Sequence, residues 1–176
     1  MIAMLANRSI SLRKMLLVLF IAAAGCTGLG DRNGAATPEK KTSIAKPMLT
    51  DFDGRSIDLE QFKGRTIFLN FWATWCKPCI HEMPSIKSAQ AGLSKTGIVF
   101  LFASNEDADE IKDFEKIYNY NFNYVKVRNL EELGMEGLPT TYIFNPRGEL
   151  VFSETGYRKW NDSANIKMIL KITEQK

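Results

Sequence analysis

The run Thr66-Ile67-Phe68-Leu69-Asn70-Phe71 leads through Trp72-Ala73-Thr74-Trp75 into Cys76-Lys77-Pro78-Cys79. An apolar run this short suits a strand buried on both faces. Beyond Cys76 the residues Ile80, Met83, Ile86, Ala89 and Leu93 recur at helical spacing, so strand gives way to helix at the first cysteine, with Pro84 expected to kink that helix. At such a junction the first thiol lies beside unpaired backbone N–H groups and the positive end of a helix dipole, which favours thiolate over thiol. A second thiol follows one turn later.

The rest of the chain supplies material for one domain around that junction. Its 176 residues are 45% hydrophobic and 24% charged, a globular composition with room for one substantial core. Asp53-Gly54 between Met48–Phe52 and Arg55–Leu59 signals a β-hairpin. A helical turn near Leu59–Phe62 ends at Gly64. The apolar run from Ile98 to Ala103 reads as a central strand, and Asp107 to Tyr118 as a surface helix with Ile111, Phe114 and Tyr118 on one face. A short strand at Tyr124–Val127 and a brief helix at 129–133 follow. Thr140–Phe144 and Glu149–Ser153 flank Asn145-Pro146-Arg147-Gly148 as a second hairpin, and a helix from about Trp160 to Ile172 closes the chain.

The N-terminus has the character of an export signal. Arg13-Lys14 precede an apolar stretch from Met15 to Ala24, which has the length of a signal h-region and falls short of the roughly 20 residues of a spanning helix. Ala23-Ala24-Gly25-Cys26 resembles the lipobox of bacterial lipoprotein signals, although Ala23 stands where such signals usually have Leu. That likeness implies removal of residues 1–25, lipidation of Cys26 and an anchor at the bacterial cell envelope. An ordinary secretory signal cut nearby is the alternative. Residues 26–47 are polar and read as a tether, leaving 48–176 as the folded domain. The formal charge of +3 draws on Arg8, Arg13 and Lys14 in the signal. Without them basic and acidic residues balance, so no nucleic-acid partner is expected.

Four sequence features together resemble the TlpA/ResA-like branch of the thioredoxin superfamily, membrane-tethered thiol-disulfide oxidoreductases of bacterial envelopes. They are the hairpin with Leu59, Phe62 and Gly64; Asn70 through Cys79; Glu82 and Pro84; and Gly137-Leu138-Pro139-Thr140-Thr141-Tyr142-Ile143-Phe144. The likeness implies an α/β thioredoxin fold, with a central mixed sheet, helices on both faces and the hairpin as an N-terminal extension. It implies that Cys76 attacks a substrate disulfide and Cys79 resolves the mixed disulfide. Pro139 would follow a cis bond, with Leu138 offering backbone groups to an extended substrate. Trp75, Lys77 and Pro78 would border the contact surface. Thioredoxins carry a buried Asp where this chain has Asn70, whereas Glu82 matches a glutamate of ResA-like members and becomes the candidate proton acceptor for Cys79.

No cofactor beyond the cysteine pair is expected, and no metal: zinc needs four ligands, and only His81 and the remote Cys26 could join the pair. Protein disulfides or thiols are the expected substrates, apocytochrome c among them by resemblance, with a membrane or periplasmic electron donor. An envelope oxidase or isomerase would share every motif and differ in potential. A peroxidase would need a Pro- and Thr-rich loop around Cys76 with a supporting Arg. A copper-handling lipoprotein is the non-enzymatic alternative.

Overall fold

The computed structural model describes residues 45–175. Seven strands form one sheet: β1 Leu49–Thr50, β2 Ser56–Ile57, β3 Ile67–Phe71, β4 Val99–Ser104, β5 Tyr124–Val127, β6 Thr140–Phe144 and β7 Leu150–Thr155. Their order across the sheet is β2-β1-β5-β4-β3-β6-β7. The central β3 runs parallel to β4 and antiparallel to β6, and β4 runs parallel to β5. Among the described residues the α-helices are α1 Lys77–Gly92, α2 Ala108–Tyr118 and α3 Ser163–Thr173. Among the described residues no helix is long and apolar enough to cross a membrane. The signal, Cys26 and the tether up to residue 44 lie outside the described residues.

Alternation along the strands divides the core into two layers. Phe68, Phe100, Phe102 and Ile143 face one cluster, whereas Ile67, Leu69, Phe71, Val99, Leu101 and Tyr142 face the other. Successive side chains of a strand point to opposite faces, so an unbroken apolar run requires cover on both sides. Helical cover is unequal. The buried apolar residues of the three α-helices, including Met83, Ile86, Ile111, Phe114 and Ile169, belong to the first cluster. The second is closed by 3-10 turns at Leu59–Phe62 and Leu130–Leu133 and by Leu49. Right-handed crossovers stepping one way, from β3 to β4 to β5, necessarily put α1 and α2 on the same side. The expectation of helices on both faces is therefore met on the second face only by single 3-10 turns.

Two boundaries differ from the sequence reading. Residues 45–47, assigned to the tether, are held by the domain: Asn129 Nδ2 donates to the Lys46 carbonyl at 3.1 Å, and Asn129 Oδ1 accepts from the Met48 N–H at 2.8 Å. The last helix begins at Ser163, with Asp162 as its extended cap residue. Trp160 instead belongs to an irregular segment packed on α1. That helix is continuous through Pro84, which is exposed.

Candidate active site

β3 and β4 end side by side, and the Trp72 N–H donates to the Ala103 carbonyl at 3.1 Å before the chain turns outward. The turn carries Thr74, whose N–H and hydroxyl both donate to the carboxylate of Glu106, at 2.8 and 2.6 Å. Glu106 also accepts from the Ser104 hydroxyl at 3.0 Å. A carboxylate with three donors is well satisfied, and here it ties the loop before Cys76 to the end of β4. The sequence reading missed Glu106. Its only signal is an acid placed just beyond a strand parallel to the one that precedes the cysteines.

Cys76 is the N-cap of α1, and its sulfur accepts from the Cys79 N–H at 3.3 Å. Pro78 falls in the first turn, where a missing N–H leaves no hydrogen bond unmade. Cys76 and Cys79 are joined as a disulfide with 5.3 Å between α-carbons. Both are buried: Cys79 has no exposed surface and Cys76 keeps 4%. Trp75 is 71% exposed beside them, and Lys77 and Pro78 are exposed as well.

Glu82 follows Cys79 by three residues and is completely buried. Oε1 accepts from Asn70 Nδ2 at 2.8 Å, while Oε2 accepts from the Arg158 N–H at 3.2 Å and the Trp160 indole N–H at 3.3 Å. These donors favour the carboxylate, yet none carries a charge to the acid, and burial pushes its pKa up to about 7. Asn70 also donates to Thr141 Oγ1 at 3.0 Å and so links the acid to β6. Asn70, neutral where thioredoxins have an Asp, is thus the orienting partner of the glutamate.

The Leu138–Pro139 bond is cis. Phe71 pairs with Thr140 across β3 and β6, so the loop just before Thr140 comes to the same end of the sheet as the cysteine turn. Pro139 is buried and Leu138 half-buried. His81 is exposed and lies against the Tyr157 ring, 5.0 Å between centroids. The site therefore brings together Cys76, Cys79, Glu82, Trp75, Pro78 and the Leu138–Pro139 loop. Among the described residues no three His, Cys, Asp or Glu side chains converge to hold a metal. The arrangement suits thiol–disulfide exchange: a cysteine that keeps a trace of exposed surface, a second one fully buried, and a buried carboxyl with a pKa of about 7 a helical turn away.

Comparison with known proteins gives the same chemistry. A model of the AhpC/TSA family matches residues 41–153. Thiol-disulfide oxidoreductase ResA of Bacillus thuringiensis subsp. konkukian is 30% identical over 142 residues, covering 76% of this chain and 82% of that one. ResA of Halalkalibacterium halodurans is 32% identical over 130 residues, covering 72% of each. A solved thiol:disulfide interchange protein of the thioredoxin family from Chlorobium tepidum superposes with a TM-score of 0.59 at 24% identity, covering 72% of this chain and 95% of that one. At that identity the last similarity concerns the fold.

Proposed function

Because the chain belongs to the AhpC/TSA family and is a thiol-disulfide oxidoreductase of the ResA type, we propose that it reduces protein disulfides at the bacterial cell envelope, anchored through lipid on Cys26. The Cys76 thiolate attacks one sulfur of a substrate disulfide. That S–S bond breaks, the departing sulfur takes a proton from water, and Cys76 carries the other half as a mixed disulfide. Cys79 gives its proton to Glu82 and attacks the Cys76 sulfur, releasing the second substrate thiolate, which is protonated in turn. Two electrons pass to the substrate and the Cys76–Cys79 disulfide remains, the state described above. A dithiol donor in the membrane or periplasm restores the pair, and no further cofactor takes part.

The observation that carries this reading is the buried Glu82 one turn beyond the buried Cys79. A thiol without exposed surface needs an internal acceptor for its proton, and a carboxyl with a pKa of about 7 can take it at neutral pH. Leu138 makes no backbone hydrogen bond to a described residue, so its amide and carbonyl are available to an extended substrate. The disulfide of an oxidised apocytochrome c, reduced to thiols before haem attachment, is one substrate of this kind. Peroxide chemistry is disfavoured because the residues around Cys76 do not form a Pro- and Thr-rich loop and, among the described residues, no hydrogen bond joins an arginine to Cys76.

Trapping tests the function directly. A Cys79→Ala variant expressed in its own cells should accumulate thiol-sensitive mixed disulfides between Cys76 and envelope proteins. Recovery of the variant free of any such adduct, with Cys76 intact, would count against the proposal. Metabolic labelling with palmitate, lost in Cys26→Ser, checks the anchor.

A further inference from the structure

After β7 the chain reverses at Gly156 and crosses α1 as a strap. Gly156 lies at φ +111°, a conformation open to glycine, and its N–H donates to the Pro139 carbonyl at 2.7 Å. Three of the next four residues are fastened to α1. The Tyr157 ring packs at a tilt against His81, the Arg158 N–H reaches Glu82, and the Trp160 N–H donates to Ser85 Oγ at 3.1 Å. The Trp160 ring then returns inward. Packed edge-on against Phe68 at 4.7 Å, it directs its indole N–H to Glu82 Oε2.

We propose that Trp160 is a positioning residue for the resolving step: its indole N–H holds the Glu82 carboxylate where it can receive the Cys79 proton. The inference rests on the role given to Glu82 above. Of the three donors on that carboxylate, the indole is the one whose direction is set by a rigid ring buried to 1% exposure. A fixed donor costs no reorganisation when charge appears on its acceptor. It also favours the ionised acid, partly offsetting burial.

The surroundings leave that donor without a charged substitute. β3 and β6 approach Glu82 with neutral Asn70 and Thr141. The Arg158 guanidinium is turned away, paired with Glu154 of β7, bonded to Asn165 of α3, and lying over the Phe152 and Trp160 rings. On α1 the neighbouring titratable groups are the cysteines and His81, the latter against Tyr157.

Two measurements test the inference. Reaction of the reduced full chain, carrying Cys26→Ser, with dithiobis(nitrobenzoate) releases one thionitrobenzoate when Cys76 attacks and a second when Cys79 resolves. In Trp160→Phe the pH midpoint of the second release should rise by roughly one unit, the effect of losing one hydrogen bond to a charged group, with the first release unchanged. Unchanged midpoints for both releases, or an equal shift in both, would overturn the inference. If Trp160→Phe does not accumulate, benzothienylalanine at the same position keeps the ring shape and replaces the N–H by sulfur. In the oxidised wild-type chain the Trp160 indole 15N–1H resonance should titrate near pH 7 and go flat in Glu82→Gln; a flat wild-type resonance again overturns the inference. Glu82→Gln separates the two proposals. A wild-type profile for its second release removes Glu82 as proton acceptor, whereas an altered Glu82→Gln profile beside an unaltered Trp160→Phe profile removes Trp160 alone.

Discussion

Glu82 accepts hydrogen bonds from Asn70, Arg158 and Trp160 while keeping no surface for water. Its burial raises the pKa from 4.5 to about 7, so the folded state binds a proton more tightly than the unfolded chain. Stability from this group is greatest below pH 4.5, declines as pH rises toward 7, and levels off above it. The full difference is on the order of 3 kcal/mol. Denaturant unfolding of the oxidised protein should therefore give a lower free energy at pH 8 than at pH 5, and Glu82→Gln should flatten that difference. An equal slope in the variant would assign the pH dependence to other groups. The same residue shows how the site couples cost to use: an acid that burial makes unfavourable when charged is also one able to exchange protons with a thiol at neutral pH.

At the scale of elements, hydrogen bonds from isolated side chains decide how segments meet. Asn129, 7% exposed between β5 and the 3-10 turn at Leu130–Leu133, holds both Lys46 and Met48. Asn129→Ala removes both bonds and leaves a half-buried N–H and C=O to find other partners, which should cost about 1–3 kcal/mol. Hydrogen exchange at the Met48 amide should quicken well beyond any change at central β3 amides. Equal acceleration at both would mean that global stability, and not the local clamp, had changed. Glu106 plays the corresponding part for the cysteine loop, fixing Thr74 to the end of β4. Without such a tie, the exit of a strand would leave the Cys76 N-cap to be placed by the helix alone.

Over the whole molecule the sheet is a partition between two cores, and both contribute to stability. Ile86 of α1 lies in the helix-covered layer, and Leu101 of β4 in the layer under the 3-10 turns. With 0% and 1% exposure, Ile86→Ala and Leu101→Ala should each lower the unfolding free energy by about 2–5 kcal/mol in denaturant titrations. A cost for Leu101→Ala well under that for Ile86→Ala would show that the second face relaxes into the space. Much of this plan was legible beforehand. Strands with apolar residues at every position announce cover on both faces, and Cys76, Cys79 and Glu82 are close in the chain, so helical geometry alone relates them. Pro139 was found through a motif, although it lies far along the chain from the cysteines.

What sequence alone determined, then, is whatever depends on spacing within one element: a thiol at a helix start, a second thiol and an acid within the next two turns, and strands of alternating direction into two cores. What only the tertiary structure decided are contacts whose partners lie far apart along the chain. Trp160 meets Glu82 across 78 residues and Glu106 meets Thr74 across 32. Among the described residues the α-helical cover falls on one face; for α1 and α2 this follows from crossover handedness acting on strand order, which a linear pattern does not contain. Trp160 itself carries the lesson in one residue. Its apolar ring fits the start of a helix as well as it fits a core, and only the packing of the strap on α1 directs its N–H to a buried acid.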